Sequence, residues 1–136
     1  MTILNAEGKP TPHITLGEPF EILLGGVAEA PIEDVVFSLA IWAGGGGAGY
    51  LLDSMQIDSD LPTSYPAGPM ALRIRFDPNL FAPGLLSLDI NAHGRQVRDR
   101  IPGVARIYVE HSSDATRQTA GMIFYPCQWS LGRGDG

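Results

Sequence analysis

Residues 70–76 alternate strictly: Met70, Leu72, Ile74 and Phe76 fall on one side, and Ala71, Arg73 and Arg75 on the other. A period of two predicts a half-buried strand, with one face on a core and one in water. Residues 85–91 repeat the pattern, with Leu86, Leu88 and Ile90 against Ser87, Asp89 and Asn91. Pro78, Pro83 and Gly84 lie between the two runs and break them apart. The run 35–42 is apolar on both sides. Val35, Phe37, Leu39 and Ile41 alternate with Val36, Ser38, Ala40 and Trp42, which predicts a strand that is central in its sheet or covered on both faces.

The remaining segments follow the same grammar. Residues 2–5 predict a short first strand and 6–10 a turn. Phe20, Ile22 and Leu24 share a face of a strand that Gly25 and Gly26 end or bulge. The glycine-rich run 44–49 predicts a hairpin turn, because no Lys-Ser/Thr and no helix signal follow it as a phosphate loop requires. Strand character resumes over 50–57, and 58–66 reads as a loop. Its acids and Asp53 fit no calcium-loop spacing. Residues 97–101 predict a short strand. Over 104–110, Ala105, Ile107 and Val109 oppose Arg106, Tyr108 and Glu110 in a further strand, and 111–120 is polar. No amphipathic helix is legible. Seven to nine strands with frequent turn residues predict an all-β chain, an antiparallel sandwich of the immunoglobulin-like or jelly-roll kind.

Composition narrows this picture. Seventeen glycines and eleven prolines in 136 residues suit many short strands, and the length suits one domain over 1–131 with a flexible tail over 132–136. A single cysteine, Cys127, forms no internal disulfide and favours a reducing compartment. Neither a secretory signal nor a run of the ~18–20 apolar residues that span a bilayer is present. These features predict a cytoplasmic chain without membrane insertion. The formal charge of −6 disfavours nucleic acid as a partner.

The last predicted strand, 121–131, is unusual. Ile123, Tyr125, Cys127 and Trp129 share one face and Met122 and Phe124 the other, while Pro126 favours an edge. Such a segment needs cover. Either it folds on its own domain, or the polar tether before it lets it pair with a neighbouring subunit.

Chemistry is sparse. His13, His93 and His111 lie in predicted turns without partners at metal-ligand spacing, so no metal is expected. There is no Gly-x-Ser-x-Gly elbow, and Cys127 reads as a buried, inert thiol. No cofactor motif and no assignable acid and base pair point to an enzyme. What remains is a sheet face. Ser87, Asp89 and Asn91, with Arg106 and Tyr108, combine short hydrogen-bonding groups, a guanidinium and an aromatic plane. Trp42 offers a second platform, and Arg73 and Arg75 join them if their strand lies in the same sheet. Such mixtures hold sugars, whose hydroxyls take planar polar groups and whose C–H faces take a ring.

The order of short motifs resembles the C-terminal carbohydrate-binding domain of Wzt-type ATP-binding subunits, from ABC exporters of bacterial O-antigen polysaccharide. The resemblance is carried by residues 4–8, 16–20 and 35–42, by Leu80-Phe81-Ala82-Pro83-Gly84 entering a strand, and by Tyr125-Pro126-Cys127-Gln128-Trp129. It implies an immunoglobulin-like sandwich that dimerises by exchange of the last strand, 121–131. It also implies non-catalytic binding of an O-antigen polysaccharide, in company with the exporter's ATPase and permease components at the inner face of the inner membrane. The aspartate-glycine turn expected after Trp42 is replaced by the glycine run. No ATPase domain or Walker motif lies in these residues, which implies an excised domain or a free-standing relative. Two further readings stand beside this one: a sandwich that only dimerises or docks to a partner, and a small hydrolase with a histidine against Ser, Cys or a carboxylate in a cleft.

Overall fold

The computed structural model describes residues 1–44, 49–94, 98–111 and 127–132, with 98–104 as backbone only. Among them are eight strands: β1 (Thr2–Leu4), β2 (His13–Thr15), β3 (Phe20–Ala28), β4 (Val36–Ala43), β5 (Tyr50–Met55), β6 (Gly68–Phe76), β7 (Gly84–His93) and β8 (Arg98–Glu110). They form a three-stranded sheet, β1-β3-β6, and a five-stranded sheet, β2-β8-β7-β4-β5. The chain is an all-β sandwich. All pairings are antiparallel except β2 with β8, which is parallel.

The alternation predicted for 70–76 and 85–91 is the architecture's main cause. Ile22 and Phe20 of β3 turn inward, backed by Ile74 and Phe76 of β6. They meet Leu39 and Ile41 of β4, Leu86 and Leu88 of β7, and Ile107 and Val109 of β8. Ile22, Ile41, Leu88 and Ile107 are fully buried, and each contributes roughly 1.5–3 kcal/mol by leaving water. The Phe20 and Phe76 rings stack 4.6 Å apart beneath this layer.

Two buried amides clip the connections to the sheets. Asn79 accepts from the Phe81 N–H at 2.9 Å and donates to the Thr15 carbonyl at 3.4 Å, tying the β6–β7 connection to β2. Gln56, in a 3-10 turn over Gln56–Ser59, accepts from the Phe37 N–H and donates to the Val35 carbonyl at 2.7 Å. Asp58, one of the acids of the 58–66 loop, accepts from the Met55 N–H at 2.8 Å. Its carboxylate is part of that turn's cap.

Several boundaries differ from expectation, each for a backbone reason. β3 runs through Gly25 and Gly26 to Ala28, because its ladder with β6 continues opposite Ala71 and Met70. Residues predicted as two strands around Pro102 and Gly103 form the single strand β8. The register shifts between Leu88 and Ile90, so three residues of β8 stand opposite Asp89 alone, and the bulge absorbs the proline's missing donor. His13 lies in β2 and His93 ends β7, rather than in turns. Cys127 is exposed rather than buried. Residues 127–132 lie in neither sheet and are exposed throughout. Residues 121–126 of the predicted last strand, and 45–48 of the glycine run, fall outside the described residues. No helix among the described residues is long and apolar enough to cross a membrane.

Candidate functional site

The five-stranded sheet turns one face to the core and the other outward. On the outward face, paired residues of adjacent strands line up in rows across the sheet. One row runs Tyr50, Trp42, Ser87, Arg106, from β5 through β4 and β7 to β8. A parallel row runs Asp53, Ala40, Asp89, and a third begins Met55, Ser38, Asn91. Tyr108 lies opposite Leu85 on one side and His13 on the other.

A bulge places Tyr50 in this set. Ile41 pairs with Leu52 but Trp42 pairs with Tyr50, so Leu51 is an extra residue on β5. Leu51 and Leu52 both pack on the core, and the phase of the strand reverses before Tyr50, which comes out beside Trp42. Their rings meet edge to face at 4.4 Å and 65°. The Trp42 indole N–H donates to Asp89 Oδ2 at 3.1 Å, which fixes the tryptophan's tilt. Ser87 donates to the Gly44 carbonyl at 2.6 Å. Ser87 and Asp89 are therefore buried and already hydrogen-bonded, whereas Tyr50, Tyr108 and Arg106 are exposed and Asn91 is half-buried.

Partial loss of water around the Tyr50 hydroxyl raises its pKa, and the charges of Asp53 and then Asp89 raise it further. The residue as a whole is 51% exposed, so the water loss is small. The phenol is a hydrogen-bond donor across the neutral range. At the other end of the face, His13 stacks on Tyr108 with centroids 5.1 Å apart and planes 19° off parallel. His13 Nδ1 lies 2.9 Å from Glu110 Oε1, which orients the imidazole and hence the tyrosine beneath it.

Six of the residues expected at a sugar face are thus together: Trp42, Ser87, Asp89, Asn91, Arg106 and Tyr108. Arg73 and Arg75 are not with them. Their strand, β6, is in the other sheet, and both guanidinium groups engage Glu21, at 3.0 and 3.2 Å, with Arg75 also 3.2 Å from Asp77. Tyr50, Asp53 and His13 were missed by sequence reasoning. Tyr50 and Asp53 share no alternation phase until the bulge is known, and β2 is too short to show a period.

A second concavity, of about 170 Å³, opens between the edges of β5 and β6, lined by Phe37, Leu72 and Ile90 among others. Ser38, Ser54, Ser59, Arg73 and Arg75 also line it, with Gln56, whose amide already makes two backbone hydrogen bonds. Among the described residues no group of three His, Cys, Asp or Glu side chains could hold a metal ion. The His13–Glu110 pair has the spacing the hydrolase reading requires. It lies on an open face with both side chains more than half exposed, not in a cleft.

No family model matches the chain, and no curated protein matches it. Among solved structures, the crystal structure of the C-terminal domain of Wzt matches it with a TM-score of 0.76, covering 96% of this chain and 80% of that one at 18% identity. The fold is that of the Wzt C-terminal domain. The two-sheet, all-β sandwich agrees with the fold implied by the resemblance read from motif order in the sequence. At this identity the Wzt domain speaks for the scaffold, and the residues of the face must be argued from their own geometry.

Proposed function

We propose that the chain is a non-catalytic carbohydrate-binding domain that holds an O-antigen-like polysaccharide for an ABC exporter, on the outer face of its five-stranded sheet. The observation that carries this reading is the row Tyr50, Trp42, Ser87, Arg106 with Tyr108 beside it, on the scaffold of the Wzt C-terminal domain. Exposed rings take the C–H faces of sugars, and Arg106 and Asn91 take hydroxyls. Asp89 and Ser87 brace the platform: one holds Trp42, and the other ties β7 to the end of β4. Arg73 and Arg75 have no part in it. The partners that go with this reading are the exporter's ATPase and permease components, and the place is the cytoplasmic side of the membrane.

Homodimerisation through 121–131 belongs to the same proposal. Trp129 and Leu131 are 94% and 102% exposed, apolar surface that a second copy of the chain would cover. That observation equally favours the alternative, a sandwich that dimerises without binding sugar. Calorimetric titration with the host strain's own O-polysaccharide separates them. Heat of binding that disappears in Trp42→Ala supports the first reading. A dimer in sedimentation with no heat at high glycan concentration leaves only the second.

A further inference from the structure

Two exposed tyrosines stand at opposite ends of the outer face, and each is braced by another ring. Tyr50 leans on Trp42 at the β5 edge, and Tyr108 stacks with His13 near the β2 edge. Three strand intervals separate β5 from β8. Tyr108 is two residues along β8 from Arg106, which shares the row of Tyr50. With strands ~4.8 Å apart and a rise of ~3.3 Å per residue, the two tyrosines are about 16 Å apart along a diagonal of the sheet. A pyranose ring built from bonds of ~1.5 Å is roughly 5 Å across, so no single sugar reaches both.

Between them the outer face carries half-buried Trp42 and Leu85, buried Ser87 and exposed Arg106, a mixture of apolar and polar surface. A braced tyrosine has lost most of its ring freedom before binding, so little further entropy is lost when a sugar stacks on it.

We infer that Tyr50 and Tyr108 are two separate stacking subsites of one face, and that the ligand is a run of at least about three sugars laid diagonally across the strands rather than a single terminal sugar. This rests on the carbohydrate-binding reading above and deepens it. His13 and Glu110 are positioning residues: they hold the Tyr108 ring and act on the ligand only through it. Two tethered subsites multiply. Once a chain is long enough to reach the second ring, that contact becomes intramolecular and affinity rises steeply with length, then levels off.

The test uses the full chain and fragments of one to eight sugars cut from the host strain's O-polysaccharide, titrated by calorimetry. Affinity rises at least about tenfold between the disaccharide and the tetrasaccharide and then flattens, a step equal to about 1.4 kcal/mol. Tyr50→Ala and Tyr108→Ala each abolish that step. Both rings are exposed, so the variants retain the fold, which circular dichroism verifies. Tyr50→Phe and Tyr108→Phe keep the step. His13→Ala reduces it only partly, and the loss is confined to fragments long enough to reach Tyr108. A disaccharide that binds as tightly as an octasaccharide overturns the two-subsite inference while the carbohydrate reading stands. So does a length step that survives loss of either tyrosine. Absence of heat for every fragment and for the intact polysaccharide overturns both.

Discussion

The two outer faces of this sandwich carry similar residue types and use them differently. On the three-stranded sheet, Glu21, whose side chain is only 16% exposed, lies between Arg73 and Arg75, and Arg75 reaches on to Asp77. Arg75 donates to Glu21 Oε1, whereas Arg73 is close to Oε2 without hydrogen-bond geometry, so that contact is charge proximity alone. These charges satisfy one another. On the five-stranded sheet the polar groups satisfy the platform instead: Asp89 holds Trp42 and Ser87 holds the strand end, and the rings and Arg106 are left facing water. A face that neutralises itself is finished when folded, and one that presents stacked rings is ready for a ligand. The residues alone do not distinguish these cases.

The comparison can be broken or sharpened by substitution. The largest effect is expected beneath the outer face of the five-stranded sheet rather than on it. Leu88→Ala, at a fully buried position of β7, should destabilise the fold by about 2–5 kcal/mol in urea unfolding. Its neighbour Asn91, changed to Ala, should cost little stability. Next, Trp42→Ala should weaken polysaccharide binding at least about tenfold, or ~1.4 kcal/mol, by calorimetry. An unchanged affinity there would remove the five-stranded face from consideration. Third, Glu21→Gln should lower stability by about 1–2 kcal/mol, because it leaves two guanidinium groups without their shared carboxylate, and should leave glycan affinity untouched. Arg73→Ala is a smaller test of the same claim. Its pair is solvent-exposed on the arginine side, so the expected loss is under about 1 kcal/mol, again with binding unchanged. If either substitution weakened binding, the division between the faces would be wrong.

The smallest effect concerns pH. The Tyr50 phenol is raised in the folded chain by partial desolvation and by Asp53 and Asp89, so above the ordinary phenol range the unfolded chain gives up its proton first. Stability associated with Tyr50 is complete below that range and is lost as pH rises through the raised folded value. Wild type should therefore lose stability more steeply in alkaline denaturation than Tyr50→Phe, and the two should converge at neutral pH.

Much of this was legible from alternation. The inward sets of β6, β7 and β8 follow directly from apolar residues two apart, because a pleated strand sends alternate side chains to opposite faces. The outward sets followed by subtraction, and Trp42 was legible because 35–42 has two apolar phases with only one core to bury. Cys127 shows the limit. Its apolar neighbours made it read as buried, but burial needs a surface to pack on, and residues 127–132 belong to neither sheet and are exposed.

What the chain's order of residues determined by itself is which side chains share a face within a strand, and from that the all-β class and most of the core. Which faces then lie side by side was decided only in three dimensions, since sheet membership rests on pairings between residues far apart in the chain. Arg73 and Arg106 have the same local pattern, yet β6 joins one sheet and β8 the other. Tyr50 is the sharpest case. Counted back from Asp53 by twos it belongs inside. The single extra residue at Leu51, set by how β5 pairs with β4, turns it outward beside Trp42, onto the face of the candidate site.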